Sequence, residues 1–166
     1  ASFAEHAGGL PGVFRDGGRA FALTAFDPPG VARSRDANAA ANAALWKTLR
    51  SRLAATPPSH AWRGFGGDVA AGWREDGFVL RFASENADAA RRAILDVAAE
   101  FDQGAIYEYV GTPDGALRRK TLGAKIDAID EETPMERLAD PDAFFAEHHL
   151  LRLPWAGPDA FPPATQ

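Results

Sequence analysis

The sequence predicts an α+β domain: a mainly antiparallel sheet of four to five strands with two helices on one face. Segments 37–53 and 84–101 carry apolar side chains at three- and four-residue spacing, and stretches alternating with period two flank both. The resulting order is strand, helix, strand, strand, helix, strand, strand, with hairpins where a parallel sheet would need crossovers. Hydrophobic residues make up 46% of 166, yet 35 residues are alanine, so the larger side chains suffice for one two-layer core and not two. The order is ferredoxin-like, βαββαβ plus an added strand. An irregular four- or five-stranded α+β sheet is the alternative.

Residues 1–20 read as a loosely ordered leading segment, rich in glycine at Gly8-Gly9, Gly12 and Gly17-Gly18. Phe21, Leu23 and Ala25 alternate with Ala22, Thr24 and Phe26, which predicts a strand over Phe21–Phe26. Asp27-Pro28-Pro29-Gly30 ends it, because proline cannot donate to a ladder. Ser34 or Asp36 can cap the helix that follows, in which Leu45, Leu49 and Leu53 form one stripe with Trp46 beside it. Thr56-Pro57-Pro58-Ser59 stops that helix. Two strands follow, His60–Val69 and Gly72–Ala83, the second placing Phe78, Leu80 and Phe82 on one face.

Ser84-Glu85-Asn86-Ala87-Asp88 opens the second helix, whose stripe is Ala90, Ile94, Val97 and Phe101. Gln103-Gly104 ends it, with glycine suited to a left-handed cap. Ala105–Val110 and Leu117–Leu122 flank the turn signal Thr112-Pro113-Asp114-Gly115 and read as a hairpin. The organised domain therefore spans 21–122.

Residues 123–166 have another texture. Lys125–Ile129 reads as a helical turn, Pro134 as the first helical position before Met135–Ala139, and Ala143–Leu151 as a further helix. Phe144, Phe145, Leu150, Leu151 and Trp155 are too apolar to leave in water, so this acidic appendage is expected to dock on the domain or on a partner.

Charge sharpens the division. Residues 1–126 hold 16 Lys+Arg against 14 Asp+Glu, and 127–166 hold 2 against 9. Neither part offers the concentrated cationic footprint that a phosphate backbone requires, so no nucleic-acid partner is expected. No apolar run reaches the length of a membrane span, and no membrane partner is expected either. The absence of cysteine excludes disulfide scaffolds, thiol nucleophiles and cysteine-ligated metals. A cytoplasmic location is the default expectation.

Several motifs then fall into one order. Thr24-Ala25-Phe26-Asp27-Pro28 precedes Ser34, Asn38, Asn42 and Leu45; Trp73-Arg74-Glu75 comes with Gly77-Phe78; and Phe101-Asp102-Gln103 leads to Ala105-Ile106-Tyr107-Glu108. In this order and spacing the string resembles the bacterial DUF3293 family of uncharacterised domains, over roughly residues 21–122. That pattern begins Thr-Ala-Trp/Phe-Asn-Pro, continues with a Ser…Glu-Asn…Asn helix and a Trp-x-Glu strand, and ends Phe-x-Gln-x-Ala-Ile. Two positions depart from it. Asp27 stands where the family has asparagine, and Ala37 where an acid precedes Asn38, with Asp36 one place earlier. The resemblance implies no reaction, so chemistry must be read from side chains.

Asn38 and Asn42 lie four apart on one helix face, although asparagine is a mediocre helix former. If that face points inward, their amides must bond either backbone or a bound polar ligand. Trp73 and Glu75 share a strand face, and a carboxylate beside an indole can gain a raised pKa and act as acid or base. The plainer reading pairs Glu75 with one of Arg63, Arg74, Arg81, Arg118 and Arg119. Gln103 reads as a cap or turn bond, or as a ligand contact. Tyr107 and Tyr109 share a face opposite Glu108. Arg118-Arg119-Lys120 could bind phosphate, pair with the acidic tail or blunt an edge strand. His6, His60, His148 and His149 are scattered, so neither a metal nor another cofactor is expected.

Three functions are consistent with these residues. The first is a binding or regulatory module in which Thr24, Asp27, Ser34, Asn38, Asn42, Trp73 and Gln103 grip a small polar ligand or a partner chain. The second is a small hydrolase or nucleotide-handling enzyme with Glu75 or Asp27 as general base. The third is an interaction protein that forms an oligomer, homo-oligomers included, through residues 140–157.

Overall fold

A computed structural model describes residues 14, 16–68, 73–112, 116–125 and 132–134, with 65, 67, 68, 73, 74 and 132–134 described in backbone alone. The elements run β1 (Arg19–Leu23), α1 (Arg35–Arg52), β2 (His60–Asp68), β3 (Trp73–Phe82), α2 (Ser84–Glu100), β4 (Ala105–Gly111), β5 (Leu117–Gly123) and β6 (Glu132–Pro134). They form one sheet in the order β2-β3-β1-β4-β5-β6, antiparallel throughout. The first four strands and two helices reproduce the ferredoxin-like order, and β5 is the added strand. A sixth strand, β6, goes beyond the four or five expected.

Register explains the single core. Phe21 lies between Leu80 and Glu108, and Leu23 opposite Phe78, so these positions share one sheet face. Phe21, Phe78, Leu80 and Phe82 are buried in one cluster with Leu45, Trp46 and Leu49 of α1 and Ile94 and Val97 of α2. Both helices therefore lie over the same face. Trp46 packs on Phe78 with ring centroids 4.8 Å apart. Glu108 is buried beneath α2, where Arg19 Nη1 donates to it at 3.2 Å and also reaches Asp88.

Three local expectations about β1 and the end of α2 are corrected. The first strand runs Arg19–Leu23 and not Phe21–Phe26, because the Thr24 side chain takes over the bonding: its hydroxyl donates to Asp76 O and accepts from Phe26 N. The left-handed residue after α2 is Asp102 (φ 59°), not Gly104. Its N–H donates to Ala99 O at 3.1 Å while Gln103 N–H donates to Ala98 O at 2.9 Å, a Schellman pair that an aspartate can host. Phe101 is accordingly the C-cap residue rather than the last helical member of the stripe.

β5 is no edge strand. β6 pairs with it, placing Lys120 opposite Glu132, Arg119 opposite Thr133 and Arg118 opposite Pro134. Pro134 thus ends a strand instead of starting a helix, which suits proline's missing donor. The helical turn proposed at 125–129 extends past the described residues. The helices proposed at 135–139 and 143–151, the aromatic segment 140–157, His6, His148 and His149 lie wholly outside them. No helix among the described residues is long and apolar enough to cross a membrane.

Candidate functional site

The polar residues singled out in the sequence converge where β1 ends, α1 begins, β3 begins and α2 hands over to β4. Proline and the short Thr24 side chain break the ladder after Leu23, so backbone groups of 24–27 need partners from elsewhere. Gly77 makes room for this turn: a Cβ there would meet Leu23 O at 2.4 Å. No larger residue fits without moving backbone.

Side-chain amides supply the partners. Asn42, buried, accepts from Ala25 N–H at 2.8 Å through Oδ1 and donates to Asp76 O at 2.7 Å through Nδ2. Asn38, also buried, accepts from Asp27 N–H at 3.0 Å and donates to Asp27 Oδ1 at 3.0 Å. Gln103, projected inward by the Schellman turn, donates to Phe26 O at 3.0 Å. Four residues apart on α1, the two asparagines reach successive points of one turn, as helical spacing requires. Both functional groups of each amide are thereby engaged by the chain itself. Ser34 caps α1 by accepting from Ala37 N–H at 3.2 Å.

Asp27 is the exposed product of this clamp. Its backbone takes φ 23°, a conformation that L side chains rarely adopt and that persists only when surroundings enforce it. Oδ1 accepts from Arg33 N–H at 2.7 Å as well as from Asn38. The Asn38 amide, followed by the Arg33 N–H and the Arg33 charge, holds the Asp27 carboxyl below the ordinary carboxylate range. Glu75, at the start of β3, moves the other way. Partial burial pushes its pKa up, and the negative charge of Asp27 adds to the shift. Among the described residues no ion pair joins Glu75 to Arg63, Arg81, Arg118 or Arg119, and the Arg74 side chain lies outside them.

Two cations complete the rim. Arg33 donates to Ala25 O at 3.2 Å through Nη1, and its charge is felt at Asp27 and Asp102 alike. Lys125 forms an ion pair with Asp102, whose carboxyl it holds below the ordinary range. Arg33, Asp102 and Lys125 were not picked out from sequence. Asp102 stood beside Gln103 in a singled-out motif, while Lys125 is 23 residues from Asp102 along the chain and carried no local signal. Trp73 begins β3 two residues from Glu75, and its side chain lies outside the described set.

Elsewhere, Arg119 stacks over the Tyr107 ring at 4.4 Å, on the sheet face away from Glu108. Burial raises the Tyr109 pKa beside them. Among the described residues no group of three or more His, Cys, Asp or Glu side chains could hold a metal ion.

A family model described as "Protein of unknown function (DUF3293)" matches residues 23–106. The match takes in every clamp residue from Thr24 to Gln103 together with Glu75, and stops before β5. No curated protein and no solved structure matches the chain.

Proposed function

Because the chain belongs to the DUF3293 family, whose description assigns no activity, we propose its role from its own rim of charges: it is a binding module for a small polar ligand that presents a cationic or hydrogen-bond-donating group. The observation that carries this reading is the opposed electrostatics of two neighbouring carboxyls, Asp27 held below the ordinary carboxylate range by the Asn38 amide and Glu75 raised by partial burial and by the Asp27 charge. A donor-rich group set against both relieves their repulsion and replaces the water that partial burial takes from Glu75. The amide clamp supports the reading because it fixes Asp27 before any ligand arrives, which lowers the ordering cost of binding.

Native mass spectrometry of protein purified from its own host tests this. The expected result is a small-molecule adduct on the unmodified chain that is lost in the Asp27→Asn/Glu75→Gln variant. A bare mass for the unmodified chain, or an adduct that survives both substitutions, overturns it.

The same opposition favours a second reading, in which Glu75 serves as general acid or base, since carboxyls with divergent pKa values suit divided proton-transfer roles. Turnover of a ligand found by mass spectrometry, with loss of rate in Glu75→Gln and unchanged binding, would select it.

A further inference from the structure

We propose that the outer edge of β2 is an interface at which two copies of this chain pair strand to strand, antiparallel about a two-fold axis at Gly64. The two edges of the sheet differ sharply. One ends in β6, three residues long and closed by Pro134, which cannot donate a backbone hydrogen bond. The other ends in β2, nine residues with neither proline nor lysine, with only β3 beside it in the sheet order among the described residues. A strand of that length at a sheet edge is a template for pairing unless something blunts it.

Composition points to a second copy as the occupant. A two-fold axis normal to a sheet can only set residues opposite each other whose numbers sum to an even value, because opposed side chains share a face. The axis at Gly64 uses all nine residues of β2. It sets Trp62 opposite the partner's Gly66, Ala61 opposite the partner's Gly67 and His60 opposite the partner's Asp68. A large ring thus meets a position without a side chain, and an imidazole position meets an acidic one, twice over by symmetry. The Trp62 ring is already ordered by stacking on His60, with centroids 5.3 Å apart and planes 11° from parallel. Gly66 is exposed. The proposal is independent of the Asp27–Glu75 rim.

Analytical ultracentrifugation of the full chain over a concentration series, with amide hydrogen exchange at the same concentrations, tests it. The expected result is a monomer–dimer equilibrium in which β2 amides gain protection as concentration rises while β6 amides do not. His60→Glu, which sets two acidic positions opposite each other at both ends, should weaken the dimer about tenfold. Adding Asp68→Lys to it should restore the affinity. A chain monomeric throughout, or a dimer whose β2 exchange ignores concentration, overturns the proposal without reference to any variant. So does a dimer indifferent to His60→Glu.

Discussion

Two junctions meet at this rim, and they are built by different means. Between β1 and α1 the chain turns on side-chain bonds: Thr24, Asn38 and Asn42 supply the partners that the broken ladder withholds. Between α2 and β4 it turns on backbone bonds, the pair from Asp102 and Gln103 into the last turn of the helix. Among the described residues a single side-chain hydrogen bond, Gln103 to Phe26 O, ties one to the other. The first junction should be sensitive to single substitutions, since each buried amide answers for a specific orphaned group. The second should be tolerant.

Substitutions can break this contrast. Asn42→Leu leaves the Ala25 N–H buried without an acceptor and should cost about 3 kcal/mol, read by urea unfolding. Asp76 O keeps its bond from Thr24 in that variant, so adding Thr24→Val should cost more than the sum of the two single changes. If Asn42 served a ligand alone, Asn42→Leu would fold with unchanged stability. Gly77→Ala should cost about 2 kcal/mol, because its new methyl meets the Leu23 carbonyl and backbone must move. Gln103→Ala should cost about 1 kcal/mol, with the Schellman pair intact. The reverse ranking, Gln103 above Asn42, would break the comparison.

The carboxyls sharpen it by pH. Asp27, lowered in the folded chain, contributes stability above the ordinary aspartate range that is lost as pH falls through its lowered value. Glu75, raised, contributes stability that is present below the ordinary glutamate range and lost as pH rises through its raised value. Glu75→Gln should therefore melt higher than the parent at neutral pH and converge with it in acid. This is the smallest of the expected effects, since Glu75 is only partly buried and solvent screens it.

Much of this was legible in the sequence. Period-two and helical spacing located both helices and five strands, because burial on one face imposes those periods. The convergence of Asp27, Asn38 and Asn42 was legible too, since helical spacing and a proline-ended strand place them together. What sequence could not give was the destination of each amide. An asparagine that bonds backbone and one that bonds a ligand have the same spacing, and only coordinates distinguish Ala25 N–H from a vacant partner. The early end of β1 was hidden for a similar reason: Phe21–Phe26 keeps its alternation while a threonine hydroxyl replaces the ladder. Asp102 in the left-handed position was masked by the neighbouring glycine, which propensity favours. β6 has three residues, too few to show any period.

The claim on which the functional reading rests is that Asp27 and Glu75 act on each other across the rim. Site-resolved carboxyl titration by nuclear magnetic resonance, on the parent chain and on Asp27→Asn, tests it directly. Asp27 should titrate below the ordinary aspartate range and Glu75 above the ordinary glutamate range, and Glu75 should move down when the Asp27 charge is removed. Ordinary values for both groups, with Glu75 indifferent to Asp27→Asn, would contradict it.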